Sequence, residues 1–183
     1  AIILGVWLSF TPDGISGKAD AVGYAVCHRI DLRSFHIGDQ QLPLCVRCTG
    51  QYLGAMTGLV FQALISRRRA GSPPGRVIAV LVLLAALFGR DGMNSYLHLP
   101  PLMEAFPNLP LLYEPNNYLR LLTGTGMGLV ISSALYPAFV STIYRDYDRK
   151  PALPGLKVFA SMAGSALVIS GLALTNIDWV LFP

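Results

Sequence analysis

The sequence predicts an all-α, polytopic membrane protein of about five transmembrane helices, the first of them truncated, with a metal-clamped loop on the external side. Three observations lead there. Charged residues make up 13% of the chain, against 53% hydrophobic, whereas soluble domains carry about 25% charged residues. The mean hydropathy is +0.51, so the chain cannot cover a water-facing surface. Every cysteine, and two of the three histidines, falls in one short polar stretch, CHRIDLRSFHIGDQQLPLCVRC.

Taken in order, the opening AIILGVWLSF reads as the end of a first spanning helix. Ten apolar residues reach about 15 Å, half of a ~30 Å hydrocarbon core. The stretch has no charged leading region and no small-residue cleavage site, so it does not read as a signal peptide. Thr11-Pro12-Asp13-Gly14 stops it with turn residues. A second span is expected over 49–66, with Thr49 as N-cap and Arg67, Arg68 and Arg69 at its end. The aliphatic run 77–88 predicts a third, continuing through Gly89-Arg90-Asp91-Gly92. The fourth is expected over 117–140, with Pro137 kinking its end. The fifth covers 156–177 and closes on Trp179 at an interface position. Residues 1–183 form one membrane domain, which includes the 11–48 Cys/His loop and an external, proline-rich 89–116 connection. In that connection Pro100, Pro101, Pro107, Pro110 and Pro115 predict an extended cap.

The net charge of +4 does not mark a nucleic-acid binder, because the basic residues sit in short loops between apolar runs. The 67–76 loop carries four arginines and no acid, and the 144–157 connection carries Arg145, Arg149, Lys150 and Lys157. The positive-inside bias makes both cytoplasmic and puts the cysteine loop and the 89–116 connection on the external, periplasmic face of the plasma (inner) membrane. Gly50, Gly54 and Gly58 recur every fourth residue on the second span, as do Gly124 and Gly128 on the fourth. Small residues at this spacing let helix backbones approach closely in lipid, so these two spans are expected to pack together.

Cys45-Val46-Arg47-Cys48 is a C-x2-C knuckle, with Cys27 and His28 upstream. Three thiolates and one imidazole suit a closed, structural zinc site. Adjacent ligands strain a small chelate, which keeps His36 open as the alternative to His28. A Cys45–Cys48 disulfide, an iron–sulfur cluster and free thiols also remain open. A c-type haem does not, because Thr49 follows Cys48 where such a motif needs histidine. Arg47, Asp91 and Arg120 fall at the external interface, where unpaired ionisable groups are costly; Asp91 is expected to pair with Arg120 or Arg47.

The block C-H-x4-R-S-F-x7-P-L-C-x-R-C-x-G, carried by Cys27, His28, Arg33, Ser34, Phe35, Pro43, Leu44, Cys45, Arg47, Cys48 and Gly50, resembles the hallmark of a family of small bacterial integral membrane proteins of unknown function. The resemblance extends to Asp91-Gly92 and to Asn117 through Gly124, and so covers roughly residues 20 to 140. It implies a multi-span membrane fold and supplies no activity.

No H-E-x-x-H, G-x-S-x-G or P-loop occurs. The expected function is therefore a non-catalytic integral-membrane subunit, an accessory or assembly component of a larger membrane complex, respiratory or photosynthetic, with the clamped loop as docking surface. Two alternatives stand beside it. One is a metal-dependent membrane enzyme using Asp39 or Asp91 as acid/base. The other is a quinone- or lipid-binding protein with Tyr52, His98 and Arg120 near a head group.

Overall fold

The structure, a computed structural model, describes residues 2–37, 39–106 and 112–175. Helix α1 spans Ile2–Phe10 and α2 Gly14–Val26. A 3-10 turn (Asp31–Arg33) leads into an antiparallel hairpin of β1 (Ser34–Ile37) and β2 (Gln40–Cys45). Four long helices follow: α3 (Val46–Ser66), α4 (Gly75–Leu97), α6 (Asn117–Ile143) and α7 (Leu156–Leu172), with the short α5 (Pro100–Ala105) after α4. Strands β3 (Arg69–Gly71) and β4 (Asp148–Pro151) pair in parallel.

Among the described residues, three helices are long and apolar enough to cross a membrane: Gly75–Leu97, Asn117–Ile143 and Leu156–Thr175. This corrects the five expected from sequence. Helix α1 starts at the first described residue, and its nine residues cover about 14 Å at 1.5 Å per residue. Helix α3 has 21, enough for about 31 Å at 1.5 Å per residue, but Arg47, Gln51 and Gln62 lower its hydropathy. The fold also departs from all-α through its two small sheets, although it is mainly helical.

Several boundaries move. Helix α3 starts at Val46 with Cys45 as N-cap, three residues before Thr49, because the chain leaves β2 already extended at Cys45. Helix α4 runs past Asp91 to Leu97, so the connection expected over 89–116 begins only there, and Pro100 and Pro101 open a helix rather than an extended strap. Proline suits a first helical turn, where its missing N–H has no acceptor to lose. Helix α6 passes through Pro137 to Ile143. Pro107, Pro110, Ile177 and Trp179 lie outside the described residues.

Polar side chains share the interior with apolar ones. Gln62, Asn94, Ser95, Thr125, Ser132 and Ser170 are all buried, while Val82, Leu83, Phe139 and Val168 are more than half exposed on the outer faces. Gln62 Nε2 donates to the Ser132 carbonyl at 3.1 Å, and Thr125 Oγ1 donates to Ser170 Oγ at 2.9 Å. Such interhelical bonds hold helices where lipid removes the hydrophobic drive between them.

Helices α3 and α6 are in closest approach. A Cβ on Gly50 would meet Leu121 and Thr125, one on Gly54 would meet Thr125, and one on Gly58 would meet Ser132. Successive glycines thus meet successively later residues, so the two helices run in the same direction. Helices α4 and α7 pack against this pair, and an apolar cluster gathers Val77, Leu129, Phe159 and Met162. The 67–76 and 144–157 connections lie together at one end through the β3–β4 pairing. The cysteines lie at the other, where Phe35 of the hairpin packs with Val46, Leu121 and Ala173.

Candidate metal centre

Three chain elements deliver the cysteines. Cys27 caps the C-terminus of α2, Cys45 ends β2, and Cys48 lies in the first turn of α3. Their sulfur atoms all lie within 4.8 Å of one another. The approach of α2 depends on Gly23, where a Cβ would stand 2.9 Å from the Pro43 carbonyl carbon. Backbone groups point at the sulfurs as well. Cys45 N donates to Cys27 Sγ at 3.3 Å and Arg29 N donates to it at 3.5 Å. All three cysteines are free and partly buried. The Cys45 thiol is held down to about 5, chiefly by the hydrogen bond from Cys48, with burial opposing. Its place at a helix N-terminus acts in the same direction.

The histidines stand apart from this trio. His28 lines the same cavity as the cysteines, yet its ring nitrogens do not join the cluster of mutually close ligand atoms. His36 is turned to Asp31, with Nε2 2.9 Å from Oδ1. The geometry supplies a three-cysteine cluster, and the Cys3His set of the sequence reading is not assembled.

Beneath the cluster lies an ion-pair network. Arg47 donates to the Asp91 carboxylate and, at 2.9 Å, to Ser95 Oγ. Tyr113 Oη donates to Asp91 Oδ1 at 2.7 Å and Thr123 Oγ1 donates to Oδ2 at 3.2 Å. Asp91 is 1% exposed, and these donors satisfy its carboxylate. Burial and the bond to Asp91 push the Tyr113 hydroxyl above its ordinary value. Arg120, the other expected partner of Asp91, instead donates to Asn117 Oδ1 at 2.8 Å. Its own helix supplies that acceptor one turn earlier.

A cavity of about 280 Å³ opens beside the cysteines, lined by His28, Arg29, Arg33, Arg47 and Arg120 among others. Arg29 pairs with Asp20 at 2.8 Å and stacks on the Tyr24 ring at 4.3 Å. Arg33 donates to the Ser95 carbonyl at 2.8 Å. Burial and the adjacent Arg47 lower the Arg33 guanidinium from its usual value, which still leaves a guanidinium charged at neutral pH. The sequence reading gave Arg33 no role beyond the family block, and the basic lining of the cavity escaped it. The signal was Arg29, Arg33 and Arg47 falling in the stretch that holds the thiols.

Other expected combinations do not form. Asp39 is exposed and does not line the cavity, and Asp91 is fully engaged, so the acid/base expected of a metal-dependent enzyme is missing from the described cavity. Tyr52 lines a separate apolar cleft between α2, β2 and α3. His98 donates from Nδ1 to the Asn94 carbonyl at 2.8 Å. With Arg120 on a different cavity, no common head-group site gathers these three residues.

Fold and site together define a multi-span membrane protein whose bundle is closed at one end by a three-cysteine cap. The chain belongs to the family described as Predicted membrane protein (DUF2085), which matches residues 27–134. An uncharacterized protein of Methanothermobacter thermautotrophicus is 36% identical over 108 residues, covering 58% of this chain and 82% of the relative. A second uncharacterized protein, from Methanocaldococcus jannaschii, is 25% identical over 127 residues, covering 69% of this chain and 72% of the relative. Both relatives are archaeal, so the resemblance is not confined to bacteria. No solved structure matches.

Proposed function

We propose that the protein is a non-catalytic membrane component whose cap is held by a structural zinc ion. The convergence of three sulfurs within 4.8 Å, from the ends of α2 and β2 and the start of α3, carries the reading. Thiolates are soft ligands that suit zinc, and C-x2-C at a helix start is a recurring way to present two of them. Ligands on three elements tie the hairpin and α2 to the bundle, which is the work of a clamp. His28, already in the cavity, is the proposed fourth ligand, and His36 is the weaker choice because Asp31 holds it. A metal-dependent enzyme is less well supported, since neither Asp39 nor Asp91 is free to act in the cavity.

In this reading α3 is a fourth crossing, lying along α6 with its polar residues turned inward. The cysteine end faces away from the cytoplasm, because the arginine-rich connections share the opposite end. The cap then serves as the docking surface for further membrane subunits. The test uses Cys48→Ala in native membranes. The account expects loss of zinc and of co-purifying chains while the helices stay inserted; unchanged association without zinc would show that the metal does not organise docking.

A further inference from the structure

Two guanidinium groups in the cysteine-end cavity form no ion pair among the described residues. Of the four arginines lining it, Arg29 pairs with Asp20 and Arg47 with Asp91. Among the described residues no carboxylate pairs with Arg33 or Arg120. Arg33 donates to a backbone carbonyl and Arg120 to an amide oxygen, both neutral acceptors. Arg120 is 7% exposed, and its Nε is buried without a hydrogen-bond partner. A buried cation left in this condition is costly, and an anion that completes its bonds recovers much of that cost.

The described residues of the cavity wall include three thiols and a tyrosine hydroxyl but no carboxylate. On the zinc reading above, three thiolates and a divalent ion leave one negative charge, against two uncompensated arginines. The cavity therefore keeps an excess positive charge even with the metal in place. Its remaining wall includes Ile30, Tyr96 and Leu99, so apolar surface lies next to the basic groups.

We infer that this cavity binds a phosphate ester, with Arg33 and Arg120 holding the phosphate and the apolar wall taking the esterified portion. Guanidinium forks match phosphate oxygens and retain their charge when partly desolvated. The cavity lies near the end of α4 and the beginning of α6, where the bundle leaves the bilayer. A lipid head group and a free phosphate ester share the required chemistry.

The test uses full-length, zinc-loaded protein in neutral detergent and calorimetric titration with two probes, dihexanoyl phosphatidic acid and glycerol 3-phosphate. Saturable binding of either is expected, weakened about tenfold or more by Arg120→Gln and by Arg33→Gln, and unchanged by Arg76→Gln at the opposite end. A lipid probe that binds at least tenfold tighter than glycerol 3-phosphate identifies a head group; equal binding identifies a free ester. Zinc and helix content are measured on every sample. If Arg120→Gln fails to fold, the half-buried Arg33→Gln carries the comparison. No saturable binding to zinc-loaded protein, or full binding by folded Arg33→Gln, overturns the phosphate site and leaves the clamp standing. Arginine-dependent binding by protein that takes up no zinc supports the phosphate site while overturning the clamp.

Discussion

Replacing Gly124 with alanine should loosen the cysteine end of the molecule, although Gly124 is itself on α6. A Cβ there would stand 3.1 Å from the Arg47 carbonyl carbon and 3.2 Å from the Gln51 nitrogen, and closer still to the Arg47 oxygen. These are backbone atoms of α3, so no side-chain rotation relieves the clash. The two helices must separate by roughly 1 Å to restore ordinary contact, and overpacking of this kind costs about 1–3 kcal/mol. Arg47 lies between Cys45 and Cys48, so the displacement acts directly on the knuckle. At about 2–4 °C per kcal/mol for a chain of this size, thermal unfolding in detergent should fall by about 2–12 °C. Zinc loss to a chelator should become faster. Gly164→Ala is the control, because nothing lies within 4 Å of a Cβ at that position. A Gly124→Ala protein as stable as wild type, with zinc retained at the wild-type rate, would refute the coupling between helix packing and cap.

Asp91→Asn should destabilise the protein by about 3 kcal/mol, the lower part of the range for a broken buried pair, because the Arg47 side chain keeps 19% exposure; chemical denaturation in detergent measures it. Tyr113→Phe removes one donor to the same carboxylate and should cost about 1–2 kcal/mol by the same assay. In right-side-out vesicles an impermeant thiol reagent, mapped peptide by peptide, should modify Asp39→Cys and spare Ser72→Cys. The reverse pattern would invert the proposed orientation.

The glycine spacing and the C-x2-C knuckle were legible because each is a local pattern with one geometric consequence. Four-residue glycine repeats name the face on which two helices can meet, and Gly50, Gly54, Gly124 and Gly128 lie on the α3–α6 approach. The number of spans was less legible. Helix α3 has the length of a span and not the hydropathy, and its Gln62 turns inward, where Nε2 donates to the Ser132 carbonyl of α6, which no window of sequence reveals. Helix α2 was hidden because GISGKADAVGYAV carries three glycines and few large apolar residues, a composition that also reads as loop. The partner of Asp91 depended on which arginine reached it first in space. Arg120 is drawn to Asn117 within its own helix, and that choice is set by tertiary packing.

The central claim is that one zinc ion joins Cys27, Cys45 and Cys48. The most direct measurement is elemental analysis of the purified protein combined with zinc X-ray absorption. The account predicts about one zinc per chain, with three sulfur neighbours at about 2.3 Å and one lighter ligand. Absence of zinc from folded protein, together with a Cys45–Cys48 disulfide by mass spectrometry, would contradict it.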